Sequence, residues 1–187
     1  SNESLLGRET LSAMQRRTAS VATTAGVNGD FFTIATGRPN GVLMREGELL
    51  APPRSSRSSA GITSDGTLDV RRVGFLGRWV GAGQRRPLAT LNELPTDGQA
   101  ALFTTAYGPT TPAVPGATVA VLFPFPSAVP NTDLAATVGL VATGGASVEI
   151  PAGGAVLVAR GLQASALAAE AVVGEPVTIT PPAAPPT

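Results

Sequence analysis

Apolar positions in this chain come in short runs separated by glycine and proline, the punctuation of a strand-rich protein. Residues 9–19 depart from that pattern. There Leu11, Met14 and Thr18 fall three to four apart with charges between them, which predicts a short amphipathic helix covering a sheet. The small and β-branched stretch 20–27 predicts a buried strand running into the turn Asn28-Gly29-Asp30, with Phe31-Phe32-Thr33-Ile34 as an apolar anchor behind it. After the turn Gly37-Arg38-Pro39-Asn40-Gly41, residues 42–50 read as a hairpin with Glu46-Gly47 at its tip. A polar loop over 51–59 precedes a second hairpin, 60–63 and 67–73, organised around Asp65-Gly66.

Beyond Arg85-Arg86-Pro87 the runs 100–105, 118–123, 136–142, 155–159 and 177–180 predict strands, and 163–170, rich in Ala and Leu after Gly161, predicts one helix. The Pro-rich end 181–187 cannot continue a central strand and reads as a tail. Together these elements predict a β-rich α+β fold. Residues 3–86 supply antiparallel strands with one helix, and residues 87–180 form a small, mostly β domain with a second helix.

Composition narrows the chemistry. The 187 residues include no Cys and no His, and all 13 basic side chains are Arg. Thiolate nucleophiles, disulfides, zinc fingers, His-based triads, Schiff-base lysines and P-loop lysines are therefore excluded from this polypeptide. Carboxylates, guanidinium groups, hydroxyls, amides and the backbone remain. At this length one domain or two small ones can bury a core without disulfides.

The formal net charge is zero, yet residues 1–86 carry 12 Arg against seven acids (+5), while residues 87–187 carry only Arg160 against six (−5). The basic half has few aromatics and no long basic run, so nucleic acid is not an expected partner. A site for an anionic substrate and plain complementarity between the halves both fit the asymmetry. No run reaches the length of a membrane-spanning helix, and the start lacks the pattern of a signal peptide.

The segments 25–32 (Ala-Gly-Val-Asn-Gly-Asp-Phe-Phe), 37–42 (Gly-Arg-Pro-Asn-Gly-Val), 57–62 (Arg-Ser-Ser-Ala-Gly-Ile) and Asp65-Gly66 resemble, in that order, the N-terminal part of the phosphodiester glycosidase family. That family includes the uncovering enzyme that removes N-acetylglucosamine from a phosphodiester on lysosomal glycoproteins. Residues 86–109 and 151–161 resemble the region that actinobacterial members insert between the family's two halves. The resemblance implies that residues 3–86 are part of a catalytic lobe and 87–180 an insertion domain. It implies a secreted or cell-surface bacterial hydrolase acting on a carbohydrate phosphodiester. It also implies a later half with an Arg-Thr-Ala segment and an Asn-Leu-Asp-Gly-Gly-Gly-Ser segment, and downstream of residue 30 this chain has neither. The chain thus reads as an N-terminal portion, inactive by itself, whose exposed strand edges pair with a missing C-terminal half or with another copy.

Cleavage at an anomeric carbon bearing phosphate requires an acid or base, stabilisation of an oxocarbenium-like transition state and a counter-charge for the phosphate. Asn28 and Asp30 are the catalytic candidates, an amide and a carboxylate either side of a glycine. Their other role would be to cap the turn through side chain to backbone bonds. Arg38, Arg54 and Arg57 are candidates for the phosphate, with Arg57 preferred beside its strand start. Phe31 is a candidate sugar platform or a core residue, and Trp79 and Tyr107 are further stacking candidates. No cofactor is expected; as an alternative to acid or base work, the Asp30 carboxylate could hold a divalent cation such as calcium by oxygen ligation. The competing reading is a non-catalytic module that binds polysaccharide or protein.

Overall fold

The computed structural model describes residues 5–19, 31–53, 57–181 and 183–184. The predicted strand 20–27 and the turn holding Asn28 and Asp30 lie outside the described residues, as does Arg54.

Residues 77–180 build the main body. Its strands are β6 (Gly77–Val80), β7 (Arg86–Leu88), β8 (Thr90–Leu91), β9 (Ala100–Thr104), β10 (Thr118–Phe123), β11 (Leu134–Ala142), β12 (Ala155–Ala159) and β13 (Pro176–Thr180). They pair in the order β7-β6-β13-β11-β10-β12-β9-β8. Only Ala89 separates β7 from β8, and its N–H donates to Ala100 O at 2.8 Å. The two ends of the sheet are therefore one stretch of chain, and the sheet closes into a barrel. All pairings are antiparallel except β8 with β9.

The side-chain period of two explains the core. Trp79, Leu102, Leu122, Leu134, Val138, Leu157 and Ile179 point inward and form the principal cluster. The alternate residues of β9, β10 and β12, among them Phe103, Val119, Val156 and Val158, form a second cluster outside the wall, covered by Val114, Ala117 and Ile150 from the connecting loops. Burial on both faces is why residues 100–103 and Ala155–Ala159 are continuous apolar runs. One face of β11 meets solvent over its first half, and there buried and exposed residues alternate.

Helix α2 (Leu162–Glu170) packs on β10 and β12 and sends Leu167 into the barrel core. Its last residue is clamped. Arg86 Nε donates to both Glu170 carboxylate oxygens at 3.1–3.2 Å, its Nη2 also bonds Glu170, and Ala82 N–H donates to Glu170 O at 2.8 Å. Gly81 and Gly83 permit this approach, since a Cβ at either would run into Glu170. The Arg86 hydrogen bonds hold the Glu170 carboxyl below the usual glutamate range. Its contribution to stability is thus present at neutral pH and is lost as pH falls through the depressed folded-state value. Thermal scans below pH 5 should show a shallower acid loss for Glu170→Gln than for the wild type; parallel profiles would remove the clamp from the acid response.

The N-terminal part adds helix α1 (Leu11–Thr18), capped by Thr10, whose Oγ1 accepts the Ala13 N–H at 3.2 Å. The helix forms where predicted, but it buries none of its residues, so its expected role as cover for a sheet is not realised among the described residues. Hairpin β1 (Leu43–Arg45) and β2 (Glu48–Ala51) turns at Glu46 and Gly47, both at positive φ, the two-residue turn that matches strand twist. Leu49 enters the barrel core, and its N–H donates to Ala128 O at 3.0 Å. Hairpin β3 (Ser58–Ile62) and β4 (Leu68–Arg72) forms around Asp65-Gly66, and among the described strands these two pair only with each other. Ile62, Leu68 and Val70 are exposed on it. Within the predicted tail, β14 (Ala183–Ala184) pairs with β5 (Gly74–Phe75).

The β-rich α+β class is as predicted. The change in composition after Arg86 does not mark a break in the sheet, because β6 and β7 pair across it, Trp79 opposite Arg86. Among the described residues, three ion pairs join an arginine of the basic half to an acid of the acidic half: Arg38 with Glu93, Arg78 with Asp133 and Arg86 with Glu170. Complementarity between the halves is therefore built into the fold.

Trp79 is 0% exposed, which excludes it as a stacking platform for a ligand. Its Nε1–H has no partner among the described residues. Trp79→Ala should cost about 3–5 kcal/mol through the cavity it leaves. Trp79→Phe forfeits no indole hydrogen bond and should retain most of the stability, a difference that denaturant melts of the two variants would resolve.

Candidate functional site

At the barrel end where β8 and β9 finish, one buried asparagine gathers three chain segments. Asn92 sits just past β8 at φ 51°, a left-handed conformation that Asn tolerates better than most residues. Its Nδ2 donates to Leu50 O at 3.0 Å and to Thr104 Oγ1 at 3.1 Å, while its Oδ1 accepts the Thr104 N–H at 2.8 Å. Its own N–H donates to Leu102 O at 2.7 Å. The side-chain amide and the backbone N–H of this buried residue thereby serve to join β2, β8 and β9.

Arg38 docks onto the same residue. Its Nη1 donates to Asn92 O, and its Nη2 lies 3.6 Å from Glu93 Oε2, with the side chain only 14% exposed. The loop carrying Arg38 is closed on itself: Thr33 N–H donates to Arg38 O at 2.8 Å, Asn40 N–H to Phe31 O at 2.9 Å, and Phe32 and Pro39 form a bridge. The backbone that follows residues 28–30 in sequence is in this way tied to Arg38 and, through it, to the barrel.

Glu93, 39% exposed at its side chain, faces an open groove of about 360 Å³. The groove is walled by Pro52, Pro53, Phe75, Thr90, Thr96 and Gln99. Thr90 Oγ1 donates to Glu93 Oε2 at 3.2 Å, and Thr96 N–H donates to Gln99 Oε1 at 3.3 Å. The result is a carboxylate balanced by a nearby guanidinium, beside hydroxyls, an amide and apolar ring faces.

The candidates named from sequence separate. Arg38 is at this site. Arg57 is exposed one residue ahead of β3, so the isolated hairpin presents it rather than the barrel. Phe31 is 75% exposed, and Phe32 and Ile34 are exposed with it, so the expected apolar anchor is not a core element. The loop closes through backbone bonds, and these three side chains project outward. Tyr107 packs edge-on against Phe103, ring centroids 4.9 Å apart, and belongs to the second core cluster. Sequence reasoning missed Glu93 and the part played by Asn92. A polar Asn-Glu pair directly after the short strand Thr90-Leu91 was the available signal. No cluster of three or more carboxylates able to hold a metal occurs among the described residues.

No protein-family model matches the chain, and no curated protein matches it. Solved structures share its fold, among them the following two. One, from Burkholderia pseudomallei K96243 and described as "Putative exported protein", aligns with a TM-score of 0.70 at 20% identity, over 99% of this chain and 42% of that one. The other, described as a hypothetical protein from Synechocystis, aligns with a TM-score of 0.62 at 22% identity, over 84% of this chain and 28% of that one. The chain therefore spans less than half the length of either. Among the described residues no helix is long and apolar enough to cross a membrane.

Proposed function

We propose that this chain is the N-terminal portion of an exported glycosidase that hydrolyses a sugar phosphodiester in an extracellular or cell-surface glycan. Asn28 and Asp30 act at the anomeric carbon, and Arg38 and Arg57 offset charge on the phosphate. Water replaces the phosphate oxygen on the anomeric carbon, leaving a free sugar and a phosphomonoester. The observation that carries this reading is the pairing of the Phe31 and Asn40 backbones, which ties the segment following the proposed catalytic turn to Arg38. The family resemblance of residues 25–66 and the exported description of one structural neighbour support it. Catalysis in this reading requires further chain to complete the cleft, and the β3–β4 hairpin, paired only with itself among the described strands, is where that chain or another copy would add a strand.

The test is incubation of the complete gene product with glycosyl-1-phosphodiesters. Release of reducing sugar together with a phosphomonoester is the expected result, and release of neither would overturn the reading. A second reading, a non-catalytic polysaccharide- or protein-binding module, is favoured by the exposed Ile62, Leu68 and Val70.

A further inference from the structure

We propose that the apolar face of the β3–β4 hairpin is a docking surface for the chain that follows residue 187 in the complete protein. The inference rests on the reading above in that further chain completes the molecule, and it is independent of the chemistry at Asp30. The two strands pair over five consecutive positions without a bulge. Ser58 opposite Arg72, Ala60 opposite Val70 and Ile62 opposite Leu68 share one face. Ser59 opposite Arg71 and Gly61 opposite Asp69 share the other, where Asp69 and Arg71 form an ion pair. The hairpin is thus amphipathic, the pattern of a sheet with one covered side. Its apolar side is nevertheless open, with Ile62, Leu68 and Val70 exposed by 71%, 65% and 62%. A two-stranded hairpin is marginal by itself and becomes stable when a further strand or a packed layer meets its apolar face. The barrel leaves that place vacant.

The path of the chain selects the occupant. β14 runs antiparallel to β5, with Ala183 opposite Phe75 and Ala184 opposite Gly74. At Ala184 the chain is therefore heading toward Val73 and Arg72, the base of the hairpin. Chain that continues from there is tethered beside the hairpin, at a far higher effective concentration than a separate molecule reaches. The two solved structures that share the fold carry it within longer chains, of which the aligned part makes up 42% and 28%.

A second copy is the poorer occupant. Six large side chains from two stacked hairpin faces would bury roughly 400–700 Å², and a stable interface takes about 1,200 Å² or more. Stacking would also bring together two halves that each carry a charge of +5. The same charge specifies what the docking segment presents. Arg72, exposed at the end of the apolar face, has no carboxylate partner among the described residues. The segment places apolar side chains on Ala60, Ile62, Leu68 and Val70 and a carboxylate beside Arg72.

The test is hydrogen exchange on the complete gene product at about 1 and about 100 μM protein. Amides of β3 and β4 should exchange at least about a hundred-fold more slowly than in an unstructured peptide, and equally so at both concentrations. Val70→Asp should speed their exchange at least about ten-fold, and a segment beyond residue 187 should lose protection with them. Amides of β10 and β12 should keep theirs, which shows that the barrel is still folded. If the charge prevents folding, Val70→Thr keeps the shape of the side chain and should give the same pattern to a smaller degree. Hairpin amides unprotected in the wild type would overturn the proposal, as would protection that arises only at the higher concentration. Loss of protection confined to residues 1–187, or a gene product that ends at residue 187, would also overturn it. Exchange involves no substrate, so a protected hairpin in a protein inactive on glycosyl phosphodiesters would overturn the catalytic reading alone. An unprotected hairpin in an active protein would overturn only the docking.

Discussion

Asn92→Ala lowers the melting temperature by about 10 °C. The substitution deletes the donors to Leu50 O and Thr104 Oγ1 and the acceptor for the Thr104 N–H, and it leaves those groups buried. Each buried group left unsatisfied costs about 1–3 kcal/mol, and a β-carbon without a compensating polar tip at φ 51° adds about 1 kcal/mol. A total near 4 kcal/mol, at about 2–4 °C per kcal/mol for a chain of this size, gives the expected shift. Asn92→Gly separates the two causes. It removes the same hydrogen bonds but relieves the backbone, and should recover about 1 kcal/mol relative to Ala. Hydrogen exchange would localise the effect: amides over residues 38–50 should lose protection while those of β10 keep theirs. A loss below about 1 kcal/mol for Asn92→Ala would contradict the role given to this residue.

The same junction shows where sequence reading stops. The strands β9, β10, β12 and β13 and helix α2 lie within a residue or two of where the apolar runs and their Gly and Pro boundaries put them. Both hairpins follow from Glu46-Gly47 and Asp65-Gly66, because turn geometry is written in two adjacent residues. Closure of the barrel was not legible. It depends on β6, only four residues long and paired with the distant β13, Thr178 opposite Val80, and on β7, which carries Pro87. The change in charge after Arg86 was visible, but it marks which side of the ion pairs Arg38–Glu93, Arg78–Asp133 and Arg86–Glu170 a residue supplies rather than where the sheet divides.

The site divides in the same way. Arg38 was a candidate on the chemistry of its fork, and the fold holds it against Asn92 and Glu93. Glu93 could not be told from other surface acids until folding brought Arg38, Thr90 and Phe75 around it. Phe31, Phe32 and Ile34 misled in the opposite direction. Their hydrophobicity argued for burial, whereas the backbone bonds that close residues 31–40 turn the side chains outward.

Asp30 carries the functional account. A carboxylate that takes or gives the proton at the glycosidic oxygen contributes roughly 10²–10⁴-fold to rate, so Asp30→Ala in the complete gene product should lower kcat for a glycosyl phosphodiester by at least about a hundred-fold. Arg57→Ala should act mainly on KM, as expected of a group that binds phosphate in both ground and transition states. The melting temperature of each variant, read alongside, separates a chemical defect from a folding defect. The most direct measurement is turnover of one glycosyl-1-phosphodiester by the complete wild-type protein and its Asp30→Ala variant at matched folded concentration. The account predicts sugar release by the wild type and a loss of at least about a hundred-fold in the variant with the fold retained; equal turnover by the two would contradict it.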